Sequence, residues 1–418
     1  MTRKLSLACL GAALCTSMAF AQASRESADA TTEASTTTST SPSAWVYVVG
    51  APLVNGNAPT TSKLYAYQAA ADGKLTAIPG SPFTDGVPAD TNTLSTALNG
   101  KYLFLLSEGE STVSAYKIES DGSLALSHTT DVSASVLGCE SIMWDVTDHT
   151  GATFYAFGWA SEGCSDWSAL SFSIDKSNGQ LDYLNSAGGD QTFTEWQQVP
   201  LTFLGNNKFA YGSGEVNGVQ SIAGFKRNSN GSLTALSFQP AMPTPKSGTS
   251  YDLLNSVAAD PNGNLAAGVI EVLHTSTGTA WGETQLAVYT ADGSGKLTTT
   301  STHDNMPETQ TGGIDSMSMS PSGKLLAVSG PYGLRIFHFN GAKPITPFTD
   351  LISHPISGGG NWYACGNMSW DNDNHLYATC SGGLFVFTVT PTSFSVAPGS
   401  PYNSSGVSLS VQTLPRYE

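Results

Sequence analysis

Apolar and polar residues alternate with a period of two over much of this chain, in short runs broken by turn residues. The stretch "SMSMSPSGKLLAVSGPYGLRIFHFNG", residues 316–341, shows the pattern. Alternation of this kind marks strands with one face more buried than the other, and "PSGK" and "GPYG" mark the turns between them. Three antiparallel strands are predicted here. The same phrase returns as "LSTALNGKYLFLLSEG" from Leu94, "SVAADPNGNLAAGVIE" from Ser256 and "NMSWDNDNHLYATCSGG" from Asn367.

Each unit reads as an inner strand, a turn with Gly or Asn, a second strand, a loop, a third strand, a "GxL" turn and an outer strand. Units start near Leu94, Ser141, Leu201, Ser256, Ser316 and Asn367, with third strands such as "VSAYKIE", "LAVYTAD" and "LFVFTVT". A seventh unit is split. "WVYVVG" (45–50), "KLYAYQA" (63–69) and "GKLTAIPGSPF" (73–83) lack a first strand, and "GVSLSVQTL" (406–414) is a first strand alone. One such unit cannot bury its faces, whereas a ring of them can. The expected fold is all-β: a seven-bladed β-propeller of four-stranded blades, closed by the C-terminal strand.

Over residues 44–414 the chain resembles the lactonase-like seven-bladed propellers related to bacterial 6-phosphogluconolactonase. The resemblance rests on the "DPNGN/SPSGK…VYxxD…GKL" repeat and on "PGSPF" (79–83) and "PGSPY" (398–402). It implies a propeller fold and a lactone-hydrolysing activity at the mouth of the central channel. The alternative function is a non-catalytic propeller that binds a glycan, a peptide or a partner protein.

Two N-terminal segments stand outside the repeats. Arg3 and Lys4 precede the apolar run "LSLACLGAALCTSMAFA", which ends in Ala19-Phe20-Ala21, a small-x-small cleavage pattern. Residues 1–21 read as a signal peptide and 22–43 as a Ser/Thr-rich tether without the apolar content to fold, with the propeller spanning 44–418. The chain is then exported, to the periplasm or beyond, without membrane insertion. Its formal net charge of −16 becomes two units more negative once Arg3 and Lys4 leave. That charge disfavours nucleic acid and anionic membranes. The remaining arginines, Arg25, Arg227, Arg335 and Arg416, form no cluster for a phosphorylated sugar. A small-molecule lactone or a glycan is the expected ligand, and a monomer the expected state.

Four cysteines remain after the leader. "CESIMWD" (139–145) and "CGNMSWD" (365–371) align without a gap, placing Cys139 and Cys365 before inner strands, and Cys164 and Cys380 follow the second strands of the same blades. Disulfides Cys139–Cys164 and Cys365–Cys380 are predicted, with a metal site as the rival reading. The same face collects the long loops and Trp159, Trp167, Trp196, Trp281 and Trp362. Of these, Trp159, Trp196, Trp281 and Trp362 are the candidate ligand platform; packing of the loops is the alternative.

Aligned from their turns, the blades place Asn92, Glu140, Val199, Asn255, Asp315 and Gly366 before the inner strands. Asn92, Glu140, Asn255 and Asp315 carry oxygens that suit a hard cation, with Ca²⁺ as the candidate cofactor. The alternative is that they cap strand ends and bind channel water. Hydrolysis without a metal needs a base and an oxyanion stabiliser. Glu140, Asp315 and His274 are the weak catalytic candidates, and His303, His354, Glu108, Glu195, Glu215 and Glu271 also fall on that face. There is no G-x-S-x-G or H-E-x-x-H motif. N-terminal sequencing of exported protein is expected to begin at Gln22; a chain that keeps residues 1–21 contradicts the leader assignment.

Overall fold

The computed structural model describes residues 43–52, 62–88, 94–107, 111–132, 139–160, 168–188, 191–192, 201–216, 219–276, 278–353, 365–380, 383–390, 392–402 and 406–415. The leader and tether assignments lie outside them except for Ser43, whose amide donates to Ala69 O at 2.9 Å beside blade 1. Seven antiparallel sheets arise in chain order. Blade 2 is representative, with Leu94–Leu98, Tyr102–Ser107, Thr112–Ile118 and Leu124–Asp131 running from inner to outer strand. Two blades depart slightly. In blade 4 the inner strand is two short pieces, Gln191–Thr192 and Thr202–Phe203, and in blade 6 the outer strand is Thr346–Pro347 and Ile352–Ser353. Among the described residues there is no α-helix element, only a 3₁₀ turn at His303–Asn305.

Blade 1 is assembled from both ends of the chain. Ala44–Pro52 pairs on one side with Lys63–Ala69 and on the other with Gly406–Pro415, so that Val48 faces both Tyr65 and Val411. The run "WVYVV" is apolar at every position because this strand is covered on both faces. Val46 and Val48 pack with Tyr377 and Val386 of blade 7, whose strands are Asn367–Trp370, His375–Cys380, Gly383–Val389 and Phe394–Val396, while Trp45, Tyr47 and Val49 pack with Leu103, Leu105 and Tyr116 of blade 2. Between blades 2 and 3 the Phe104 and Phe154 rings meet at 5.5 Å, both fully buried. Each such side chain contributes roughly 1.5–3 kcal/mol relative to exposure.

A second contact repeats between neighbours. A tyrosine at or near the start of a second strand donates its hydroxyl to a backbone carbonyl in the outer hairpin of the next blade. The bonds are Tyr47 to Gly122, Tyr102 to Lys176, Tyr155 to Gly231 and Tyr211 to Gly295, at 3.1, 3.3, 2.6 and 2.7 Å. This accounts for the "GxL" turn. Gly231 has φ +93°, and a Cβ there would sit 2.2 Å from Thr153 Oγ1. At Gly295, φ is +86° and a Cβ would strike the Phe209 ring at 2.5 Å. Only glycine meets both demands.

The "DPNGN" aspartates fix the hairpin between inner and second strands. Asp260 accepts from Asn262 N and Asn264 N at 2.8 and 2.7 Å, and Asp371 from Asp373 N and His375 N at 2.9 and 2.8 Å. In blade 3 this role belongs to Asp148, which accepts from Ala152 N at 3.1 Å and pairs with Arg227. Asp148 is thus the counterpart of Asp371, which corrects the gapless alignment of "CESIMWD" with "CGNMSWD". Register shifts between Cys139 and Ser141 and between Met143 and Asp145 add residues to the inner strand of blade 3.

Cys365 and Cys380 are joined by a disulfide across the start of blade 7. The Cys139 side chain and Cys164 lie outside the described residues. Deleting residues 406–415 exposes an unpaired strand edge and an apolar face. Such a truncation is expected to be insoluble or strongly destabilised; a soluble product with the parent's melting temperature contradicts the closure.

Candidate functional site

The inner strands enclose a central channel of about 1220 Å³. Short polar side chains on its wall bond from strand to strand. Thr96 and Ser410 hydroxyls meet at 2.7 Å, Gln412 Nε2 donates to Thr96 O at 2.6 Å, Ser369 and Thr413 hydroxyls meet at 2.8 Å, and Thr147 donates to Leu98 O at 2.5 Å. Most of the polar lining therefore serves the ring itself.

Asp145, with Ser95 beside it, departs from this pattern. It lines the channel, is 6% exposed, and neither carboxylate oxygen meets a donor in good hydrogen-bond geometry, the Ser95 hydroxyl and its own amide being the groups near enough to act on it. Burial pushes its carboxyl up to about 7, against weaker opposing pulls from the Ser95 hydroxyl and its own amide. The backbone puts it there. Trp144 holds φ +54°, a left-handed conformation unusual for a bulky residue, at the second bulge of the strand.

The second concentration of chemistry is on the loop face of blade 5, whose second and third strands, Asn264–Thr275 and Gly278–Ala291, form a long hairpin. A bulge between Ile270 and Val272 carries Glu271, which is 2% exposed. Lys246 Nζ lies 3.0 Å and His303 Nδ1 3.9 Å from Glu271 Oε1. The neighbours of His303 determine its tautomer. Gln285 Nε2 donates to the His303 and Met306 carbonyls at 3.1 and 3.0 Å, which orients the amide. Gln285 Oε1 then accepts from the Tyr251 hydroxyl at 2.6 Å. Burial, with Glu271, Glu283 and Asp304 nearby, pushes the Tyr251 phenol up to about 12, so it keeps that proton. The Tyr251 oxygen, 3.1 Å from His303 Nδ1, is left as an acceptor. Nδ1 therefore carries the hydrogen, and Nε2 presents a lone pair. Alongside, desolvation and the Glu283 carboxylate raise the pKa of Glu308. Trp281, opposite Val272 on the hairpin, is 67% exposed.

The sequence candidates separate accordingly. Glu271 and His303 are brought together. His274 is exposed and its Nε2 lies 3.0 Å from Ser250 Oγ, apart from that network. Asp315 lines the channel, its amide bonds to Ser329 O at 2.8 Å, and desolvation raises its carboxyl pKa. Asn92 lies outside the described residues, as do Glu108, Glu195, His354, Trp167, Trp196 and Trp362. Glu140, Trp159, Glu215 and Asn255 belong to strands, but their side chains lie outside the described set. Among the described residues no three His, Cys, Asp or Glu side chains gather to hold a metal ion. His375, in the second strand of blade 7, is buried and bonds Asp371 Oδ2 through Nδ1 at 2.7 Å. Tyr251 and Gln285 were not singled out from the sequence; the available signal was a glutamine at a buried position of a third strand.

No protein-family profile matches the chain, and no curated protein sequence does. Solved structures do. The periplasmic gluconolactonase of Pseudomonas aeruginosa is 13% identical, with 88% of this chain and 99% of that one covered at a TM-score of 0.54. A Bacteroides uniformis protein assigned by name to the 6-phosphogluconolactonases is 14% identical over 89% and 100%, at 0.50. A hypothetical selenium-binding protein of Sulfolobus tokodaii is 10% identical over 90% and 94%, at 0.56. The chain shares the lactonase-like propeller fold. At these identities the likeness is one of architecture.

Asp145 yields a pH prediction. Its folded-state pKa of about 7 lies above the ordinary carboxylate value, so the native state holds a proton that the unfolded chain releases. The stabilisation is complete below about pH 4 and is lost as pH rises to about 7, amounting to a few kcal/mol at ~1.4 kcal/mol per unit. Denaturant midpoints in sodium- and potassium-free buffer are expected to fall more steeply from pH 5 to 8 in the parent than in Asp145→Asn. Equal slopes contradict a buried, unpaired carboxylate.

Proposed function

We propose that the protein is an exported lactone hydrolase whose reacting groups lie on the loop face of blade 5. The observation that carries this reading is the chain Gln285–Tyr251–His303, which leaves His303 Nε2 as a base, with the Glu271 carboxylate beside Nδ1. Fold likeness to a gluconolactonase supports the substrate class. The Cys365–Cys380 disulfide and the apolar leader support export.

In this mechanism His303 Nε2 takes a proton from water as its oxygen attacks the lactone carbonyl carbon. Glu271 offsets the positive charge that forms on the imidazole. Lys246, half-exposed at the same patch, supplies a cation for the developing oxyanion. The ring C–O bond then breaks, and the imidazolium returns its proton to the leaving oxygen, giving a hydroxy acid. Exposed Trp281 offers an apolar face for a sugar ring. That same exposure favours the second reading, a glycan-binding propeller without catalysis.

A panel of sugar and aliphatic lactones, followed by proton release, tests both. The parent is expected to hydrolyse a sugar lactone, His303→Ala to lower kcat/KM by ~10²-fold or more with an unchanged melting temperature, and Trp281→Ala to raise KM more than it lowers kcat. A parent inert on every lactone, or a fully active His303→Ala, overturns the hydrolase; glycan binding lost in Trp281→Ala alone then supports the second reading.

A further inference from the structure

The channel contains a group that the loop-face chemistry does not use. We infer that Asp145 holds a monovalent cation in the central channel, with Ser95 Oγ and other neutral oxygens of the inner strands completing its shell. Buried polar atoms are nearly always paired, and the two Asp145 oxygens have no well-aligned donor, only the weaker pull of Ser95 Oγ and of the Asp145 amide. Ser95 Oγ, on the neighbouring blade, is itself buried and bonds to no other group in good geometry. The group is not a remnant of hairpin capping, since Asp148 performs that role in blade 3. The left-handed Trp144 and the bulge are a local cost that delivers the carboxylate to the channel wall.

The charge of the ion follows from the carboxylates that act at this point. Asp315 lies on the same channel wall and Asp148 caps its hairpin, but neither acts on Asp145; a single carboxylate balances one positive charge, whereas Ca²⁺ usually draws several. Opposite Asp145 on its own sheet stands Ala156, and across the blade interface stands Ser95. Among the described residues no charged side chain contributes to its proton affinity. A proton and the cation therefore compete for the same oxygens, and the site is loaded at alkaline pH and emptied by acid. This inference is independent of the assignment of His303 and Glu271.

The test compares thermal midpoints of the full chain in sodium chloride, potassium chloride and tetramethylammonium chloride at equal concentration, at pH 8 and pH 5. Sodium or potassium is expected to raise the midpoint by ~2–4 °C over tetramethylammonium at pH 8 and to have little effect at pH 5. The shift is expected to vanish in Asp145→Asn and to shrink in Ser95→Ala. Sodium-23 resonance broadening by the parent, reversed by acid, reads the same site without a variant. Equal midpoints in all three salts at pH 8, a shift retained by Asp145→Asn, or no broadening by the parent overturns the assignment.

Discussion

The structure depends on a single antiparallel ladder, between Ala44–Pro52 and Gly406–Pro415. Each blade is a small sheet with two apolar faces, and neither face is buried until a neighbour stands on both sides. In an open row, two blades would keep a bare face. The ladder between the two ends of the sequence removes that problem by making the first blade also the last. Covering of Val46 and Val48 by blade 7, and of Trp45 and Tyr47 by blade 2, follows from it. So does the channel, which exists only because the inner strands are held in a closed circle.

Within the ring, the two kinds of hairpin have different duties. Turns between inner and second strands are tied down by aspartates such as Asp260 and Asp371. Turns between third and outer strands are gripped by the tyrosines of adjacent blades. That face is spent on structure. The other face is free to carry a long hairpin in blade 5, and the bulge at Glu271 sits on it. Rigid blades thus hold Tyr251 and Gln285, while the connection after the outer strand brings His303 to them.

The repeat, its number and its split unit were legible because they rest on local rules: alternation within strands, and glycine where a turn needs positive φ and close approach. The disulfide of blade 7 was legible for the same reason, since Cys365 and Cys380 flank one short hairpin. The site was less so. Glu271 and His303 come from different elements, and no fixed spacing links them. Asp145 was hidden by bulges, which add residues without interrupting alternation enough to announce themselves. Aligned from its cysteine, "CESIMWD" set Asp145 against Asp371; the folded register sets Asp148 there.

The ladder that closes the ring also decides how the molecule responds to a pull. Ala44 and Pro415 face each other at one end of it, so the two ends of the folded ring emerge side by side. Tension applied through them acts across the ladder rather than along it. The nine residue pairs are then loaded in turn, first Ala44 with Pro415 and last Pro52 with Gly406. A geometry of this kind unzips under a small steady load, whereas lengthwise shear would have to break all the pairs together. Under such a pull the ring opens at the ladder that closes it, where its chain is not continuous.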